Sequence, residues 1–174
     1  MSSAEIELNP IDFITVGTIG PKGQREFYLQ AGYDNKLVSL KIEKEQSWAL
    51  SEAIRELIGD LDDRFDLDGE DFDENDVLDG MDMDLREPIE PMFIVSQMGL
   101  GYDEEQDKIV LVAQELVRTN PFGDTGTTEE SKAGIVRIWC SREQMWALSF
   151  RAMRTVKSGR ADPKQNGRLV YYWT

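Results

Sequence analysis

A six-residue segment that occurs twice constrains the fold of this chain more than any other feature. Residues 45–50 read EQSWAL, and residues 143–148, at a spacing of 98, read EQMWAL. The residues before each copy, 37–42 and 135–140, match at the same spacing. Matches that keep their order along the chain predict two copies of one supersecondary unit. Because two copies are too few for a solenoid, we expect a pseudo-symmetric pair that shares one core.

Each copy is predicted to consist of three strands followed by one helix. In the first copy, residues 11–19, 26–32 and 37–42 are rich in β-branched and aromatic residues or alternate between apolar and polar ones, as strands do. The third strands of the two copies share an apolar face, which we expect to be buried. Its members are Val38, Leu40, Ile42, Val136, Ile138 and Cys140.

Helix signals follow both third strands. Ser141 and Gln144 form a capping box before the second helix, and Gly59 and Gly159 stand near the expected helix ends. Six strands and two helices predict an α+β domain, with a mainly antiparallel sheet and two helices packed on it. We divide the single domain 1–174 into a first repeat 11–59, an acidic linker 60–91, a second repeat 92–159 and a C-terminal tail 160–174.

Cysteine and histidine usage excludes several kinds of site. The chain of 174 residues has one cysteine and no histidine, so it forms no intramolecular disulfide and no Cys/His zinc site. Its start lacks a basic segment followed by an apolar run, and no apolar stretch reaches the roughly 18 residues of a membrane span. We therefore expect a soluble cytoplasmic protein with no cofactor, no bound metal and no membrane contact.

The acidic character of the chain is local. Residues 60–87 hold 14 acidic residues and two arginines, and so carry −12 of the net charge of −15. Direct nucleic-acid binding is disfavoured because no basic face is evident. An EF-hand register with Gly69 at its sixth position fails, because it places Arg64 at the first ligand position.

Three interpretations of the acidic linker stay open: a solvated spacer, a partner-docking segment, or a loose divalent-ion site. Acidic residues interspersed with apolar ones are typical of segments that order on binding. The candidate partner-binding residues in the linker are Asp66, Asp68, Phe72, Asp73 and Met81.

Two glycine-containing segments are the alternative candidates for ligand binding. Gly17, Gly20 and Gly23 are spaced as in loops that bring backbone amides to a phosphate. Such loops lead into a helix, whereas this one joins two strands, which favours a plain hairpin. Residues 98–101 are predicted to form the equivalent loop of the second copy. A ligand site in the cleft between the copies would be built from Gly20, Gly23, Gly99, Gly101 and Tyr102.

The cysteine and the tryptophans favour structural interpretations. Cys140 aligns with Ile42 on the buried strand face, and without histidine it lacks the usual thiol-activating base, so we predict a core residue rather than a nucleophile. Trp48 and Trp146 repeat at matching positions, which predicts a shared packing contact. A sheet-edge strand or an exposed aromatic interface is predicted for Tyr171, Tyr172 and Trp173.

Several motifs resemble a bacterial family of unknown function. Residues 27–31 (FYLQA) and 98–101 (MGLG) resemble the domain-of-unknown-function family 3090, whose members are uncharacterised repeat proteins. The resemblance spans roughly residues 11–160 and implies no catalytic residues. Family members continue into a Cys-Pro-x-Cys and Gly-His-x-Cys tail that looks like a zinc knuckle. Residues 161–174 contain neither cysteine nor histidine, so that metal site does not carry over to this chain.

These features favour a non-catalytic protein-binding or adaptor module, with the acidic linker and the aromatic C-terminus as contact surfaces. Its partner would be another protein or a subunit of a complex. Nothing in the two repeats marks a carboxylate pair or another catalytic group. The alternative is a small-molecule-binding enzyme or enzyme subunit with a site between the repeats. Nucleic-acid mimicry by the linker is a third hypothesis.

Overall fold

The computed structural model describes residues 5–21, 23–65, 77–78, 80–117 and 133–158. The described strands are β1 (Glu5–Leu8), β2 (Phe13–Ile19), β3 (Glu26–Tyr33), β4 (Lys36–Ile42), β5 (Pro91–Asp103), β6 (Lys108–Glu115) and β7 (Ile135–Cys140). The two long helices are α1 (Lys44–Phe65) and α2 (Arg142–Ser158). The predicted α+β class is confirmed, and the order strand, strand, strand, helix occurs twice from β2 onwards.

The described strands form one sheet with the order β1-β7-β6-β5-β4-β3-β2. Four neighbouring pairs are antiparallel, whereas β1 with β7 and β4 with β5 are parallel. The parallel pair of β4 and β5 requires a crossover connection, and α1 provides it. The prediction of a mainly antiparallel sheet is therefore confirmed.

The sheet is strongly curled, because its two edge strands are consecutive in the chain. β1 and β2 lie at opposite edges, which six strand spacings would separate by about 29 Å in a flat sheet. Only residues 9–12 join Leu8 to Phe13, and five Cα–Cα steps reach at most about 19 Å. The two edges must therefore approach each other around the core.

One core lies between the sheet and the two helices. Leu40, Leu111 and Ile138 from the sheet meet Ile54 and Leu148 from the helices, and each of these is almost fully buried. Burial of a side chain of this size stabilises the fold by about 1.5–3 kcal/mol. The predicted buried face of the third strands is confirmed, since its members are all at most 6% exposed: Val38, Leu40, Ile42, Val136, Ile138 and Cys140.

The two helices meet at a pair of serines that are 98 residues apart. Ser51 Oγ donates to Ser149 O at 2.9 Å, and Ser149 Oγ donates to Ser51 O at 3.2 Å. Both serines are fully buried. The two hydrogen bonds are reciprocal, because each serine donates to the backbone oxygen of the other. A two-fold axis between two helices produces this geometry.

Gln46 and Gln144, which are also 98 residues apart, make equivalent contacts. Gln46 Oε1 accepts from the backbone N–H of Glu43 at 2.7 Å, and Gln144 Oε1 accepts from that of Ser141 at 2.9 Å, which confirms the predicted capping box. Gln46 Nε2 donates to Val95 O at 3.1 Å, and Gln144 Nε2 donates to Ile11 O at 3.2 Å. Gln46 therefore ties α1 to β5, and Gln144 ties α2 to the residues just before β2.

One helix end and one strand differ from the prediction. The predicted helix end at Gly59 is wrong, because α1 continues to Phe65 and buries Leu61 in the core at 3% exposure. β1 was not predicted at all. Its pairing with β7 is supported by an ion pair between Glu5 Oε1 and Arg137 Nη1 at 2.8 Å.

Candidate functional site: a groove between α1 and β5

An open groove of about 470 Å³ lies between α1 and β5. Its α1 wall presents Ala49, Ala53 and Leu57, of which the two alanines are exposed. Its other wall is residues 96–100 of β5, and the buried Leu111 lies at its floor. The rim is polar and includes Gln46, Glu56 and Asp60. The groove therefore offers an apolar interior with an acidic border.

Among the described strands, none pairs with one edge of β5 at this groove. β4 pairs with β5 only from Pro91 to Ile94, whereas β6 pairs with it as far as Asp103. Gln46 Nε2 occupies the carbonyl oxygens of Val95 and Ser96, at 3.1 and 3.3 Å. Beyond Ser96, no strand among the described residues pairs with this side of β5. An unpaired strand edge is a template for the addition of another strand.

The corresponding face of α2 is covered by the chain itself. Ala147 in α2 stands 98 residues after Ala49 in α1, yet Ala147 is fully buried and Ala49 is exposed. Ala147 is covered by Val77 and Met83, which form a separate apolar cluster with it. The corresponding helix face is thus covered on α2 and open on α1.

Residues 77–78 and 80–87 form the covering segment, and its second part is held against β2 and β3 by hydrogen bonds. Thr15 Oγ1 donates to Met83 O at 2.6 Å. Gln30 exchanges two bonds with the backbone of Arg86, at 2.7 and 2.8 Å. Leu85 lies directly over Gly17, where an added Cβ would stand 2.5 Å from Leu85 Cγ. The missing side chain at Gly17 therefore makes room for Leu85.

Two side chains of α2 also contact a backbone oxygen at the edge of β2, and the matching residues of α1 have no such donors. Arg151 Nε donates to Val16 O at 3.1 Å, and Thr155 Oγ1 lies 3.4 Å from the same oxygen. The residues 98 positions earlier are Ala53 and Leu57, whose side chains have no donor. These two side chains line the open groove instead.

The two helix faces carry opposite charge. Arg154 of α2 lines a pocket together with Asp84 of the covering segment. The residue that matches Arg154 in α1 is Glu56, which lies on the rim of the open groove with Asp60. Opposite charges across an interface select the partner, and like charges oppose it. An acidic rim therefore favours a positively charged occupant.

The structure separates the two predicted glycine loops. Gly20 and Gly23 lie in the β2–β3 hairpin with φ of 111° and 91°, a region that glycine enters without steric cost, so the hairpin prediction is confirmed. The predicted second loop is wrong, because Gly99, Gly101 and Tyr102 lie within β5 and pair with β6. The strands β3 and β4 stand between the two sets. Of the five residues, Gly99 lines the groove.

Tyr102 belongs to a polar cluster at the β5–β6 hairpin. Tyr102 OH donates to Asp107 Oδ1 at 2.7 Å, and Arg142 Nη2 lies 3.1 Å from the same oxygen. The hydrogen bond to Asp107 raises the pKa of Tyr102, so its phenol stays protonated at neutral pH and provides no general base. Arg142 Nη1 also lies 3.5 Å from Asp62 in α1. The cluster therefore links both helices to the hairpin.

The predictions for Cys140 and Trp146 are confirmed, and that for Trp48 is wrong. Cys140 is fully buried, and burial raises the pKa of its thiol. Trp146 packs against the core and stacks on Phe150 with ring centroids 5.4 Å apart. Trp48 is 43% exposed. The residue of α1 that matches Phe150 is Glu52, so Trp48 has no aromatic partner at that position.

Most of the predicted partner-binding residues lie outside the described residues: Asp66, Asp68, Phe72, Asp73, Tyr171, Tyr172 and Trp173. Met81 is described, and it is partly buried against the cluster of Val77, Met83 and Ala147. Sequence reasoning did not identify Ala49, Ala53 and Leu57 as site residues. An alignment of the two helices at the spacing of 98 could have identified them. Where α2 has Arg151 and Thr155, α1 has residues whose side chains have no hydrogen-bond donor.

The described residues contain neither a metal-binding cluster nor a membrane-spanning helix. Within the part of the chain that the structure describes, no group of three or more cysteine or carboxylate side chains is arranged to hold a metal ion. Neither of the described long helices is apolar enough over a sufficient length to cross a membrane.

The described residues form an α+β fold with one curled seven-stranded sheet, in which the antiparallel strands β2–β4 and β5–β7 are joined by the parallel pair of β4 and β5. An open helix–strand groove lies beside α1. The chain belongs to the family described as protein of unknown function (DUF3090), which matches residues 6–166. The resemblance noted from its motifs is thereby confirmed. No curated protein and no solved structure matches the chain.

Proposed function

We propose that this protein is a non-catalytic binding module, or adaptor, that holds an extended segment of a partner protein in the groove between α1 and β5. The observation that carries the proposal is the matched pair of Ala49 and Ala147, of which the first is exposed and the second is buried under Val77 and Met83. The molecule thus contains its own example of a chain segment whose apolar side chains cover this helix face.

Two kinds of contact would hold the partner segment. Its backbone would pair with the edge of β5 beyond Ser96, in the manner of strand addition. Its apolar side chains would pack between Ala53, Leu57 and Met98, which line the groove. Gly99 has open space around it, whereas Leu85 fills the space over Gly17 in the covered repeat. Backbone bonds would supply affinity, and these side-chain positions would supply specificity.

We also propose that the two units arose by internal duplication. The support is that contacts recur at the same spacing as the sequence match: Ser51 with Ser149, and the paired roles of Gln46 and Gln144. Under duplication, the two helix faces began alike. Function is then expected where the copies differ, and the open face of α1 is such a place.

We further propose that the module works in the cytoplasm with a protein partner. Cysteine usage supports this location, since the single cysteine is buried and no disulfide can form within the chain. The predicted contact surfaces on the acidic linker and the aromatic C-terminus lie mostly outside the described residues and stay predictions.

Selection of binders from a random-peptide display library, with the full chain as bait, tests the groove. We expect Ala53→Arg to weaken the selected peptides at least about tenfold, a loss of about 1.4 kcal/mol, because an arginine there would fill the groove as Arg151 fills its own site. The matched control is Gly59→Arg, which adds the same side chain at an exposed α1 position outside the groove.

The control should bind the selected peptides as the unmodified chain does. Two results would refute the proposed function: a library that yields no binder, or binders that tolerate Ala53→Arg. Peptides that are weakened equally by both arginine variants would also count against the groove, because a general charge effect would then explain the loss.

A further inference from the structure

We propose that residues 160–174 of this chain occupy the groove between α1 and β5 as an intramolecular ligand, which a partner segment has to displace. This inference rests on the proposed function of the groove and names the segment that competes for it. Three properties carry it: the path of the chain after each helix, the charge of each segment and each helix face, and the length of the chain after α2.

The path of the chain gives the first argument. The chain that leaves α1 at Phe65 later covers α2, where Val77 and Met83 bury Ala147. The helices are related by the reciprocal bonds of Ser51 and Ser149, so the two faces are equivalent positions. The segment that leaves α2 after Ser158 is the counterpart of the segment that leaves α1. Its equivalent target is the open face of α1.

Charge gives the second argument. Each chain segment is opposite in charge to the helix face that it would cover, and both charges are reversed between the two cases. Residues 60–87 carry −12 and supply the segment that covers the face with Arg151 and Arg154. Residues 160–174 carry three basic side chains and one acidic one. The face of α1 presents Glu56 and Asp60. Each segment therefore complements the helix of the opposite repeat and would be repelled by its own.

The side chains of the tail fit the interior of the groove. Residues 169–173 read LVYYW, and valine and the three aromatic residues favour an extended strand. An extended strand could pair with the edge of β5 beyond Ser96 while alternate side chains enter between Ala53 and Leu57. In the covered repeat, Val77, Met83 and Leu85 supply the corresponding apolar groups.

The chain after α2 is long enough to reach the groove. Sixteen residues follow Ser158, and they span up to about 53 Å when extended. A compact domain of 174 residues has a radius of gyration of about 16 Å. The extended tail is therefore several times longer than this radius, and a tethered segment of this length acts at an effective concentration on the order of millimolar.

A charge-swap experiment on the full chain tests the inference, with the NMR amide shifts of Ala49, Ala53 and Gly99 as the readout. One variant reverses the tail by Arg160→Glu, Lys164→Glu and Arg168→Glu, and the other reverses the rim by Glu56→Arg and Asp60→Arg, both of which are exposed positions. We expect each variant alone to shift the groove amides and the combination to restore them. The tail variant should also bind a display-selected peptide about tenfold more tightly, because its competitor is gone.

The outcomes separate this inference from the proposed function. Groove amides that do not move in the tail variant would overturn the inference, and if selected peptides still bind and still lose affinity with Ala53→Arg, the proposed function stands. Failure of both readouts would refute both. Shifts that disappear on about a hundredfold dilution would assign the groove to the tail of a second copy, and that result would overturn the intramolecular assignment.

Discussion

Gly17→Ala is expected to displace Leu85 from the covered repeat, and Gly99→Ala is the matched control. A Cβ at Gly17 would lie 2.5 Å from Leu85 Cγ and 2.8 Å from its Cδ1, distances that van der Waals contact does not allow. A Cβ at Gly99 would meet nothing within 4 Å. Both glycines lie in strands and neither has a positive φ, so the change to alanine has the same backbone effect at each site.

The magnitude follows from the difference between the two sites. Alanine in a strand gains about 0.5–1 kcal/mol over glycine through the unfolded state, and this gain applies to both variants. Full burial of a leucine stabilises by about 1.5–3 kcal/mol, and Leu85 is partly buried. We therefore expect Gly17→Ala to be about 1–2 kcal/mol less stable than Gly99→Ala.

Urea unfolding followed by circular dichroism measures this difference. With a slope of about 2 kcal/mol per molar urea, the two midpoints should differ by about 0.5–1 M. Leu85→Ala should cost clearly less in the Gly17→Ala background than in the unmodified chain, because the leucine has already left its site. Equal midpoints for the two glycine variants, or a leucine cost that is the same in both backgrounds, would refute the contact as we describe it.

Two further predictions concern the interior. Ser51→Ala and Ser149→Ala should each lower the free energy of unfolding by about 1–2 kcal/mol. Because the two residues bond each other, the double variant should lose about 0.5–1 kcal/mol less than the sum of the single losses. Additive losses in a double-mutant cycle would contradict the reciprocal bonds. Burial raises the pKa of the Cys140 thiol, so above about pH 9 the unfolded state releases a proton that the folded state keeps. The free energy of unfolding should then fall more steeply with rising pH in the unmodified chain than in Cys140→Ala, and the difference in slope should be up to about 1.4 kcal/mol per pH unit. Parallel pH profiles of the two proteins would argue against burial of the thiol.

Local patterns predicted those elements whose residues decide their own structure. The apolar alternation of Val136, Ile138 and Cys140 predicted a buried strand face, and all three are at most 1% exposed. The capping box at Ser141 and Gln144 is present with both of its hydrogen bonds, at 2.9 and 3.0 Å. In each case the interacting residues are near neighbours in the chain, so a short window of sequence contains the whole interaction.

Elements that depend on distant partners were missed or misjudged. β1 is a four-residue segment with two glutamates, and it becomes a strand because β7 supplies Arg137 and Trp139 to those carboxylates. Gly99 and Gly101 suggested a loop, yet pairing with β6 keeps them in a strand, where Met98, Leu100 and Tyr102 pack against the core. Gly59 did not end α1, since the buried Leu61 extends the helix. Tertiary contacts outweigh local propensity in each case.

The sequence by itself determined the order of strands and helices from β2 onwards, the buried face of β4 and β7 and the spacing of 98 that relates the two helices, because the hydrophobic period and the repeated segments are properties of the chain itself. Only the tertiary structure decided where the candidate site lies. The groove exists because β5 extends past β4 and because Val77 and Met83 cover Ala147 but leave Ala49 exposed. Strand register and the cover of a helix face are contacts between residues far apart in the chain, so no local pattern in the sequence contains them.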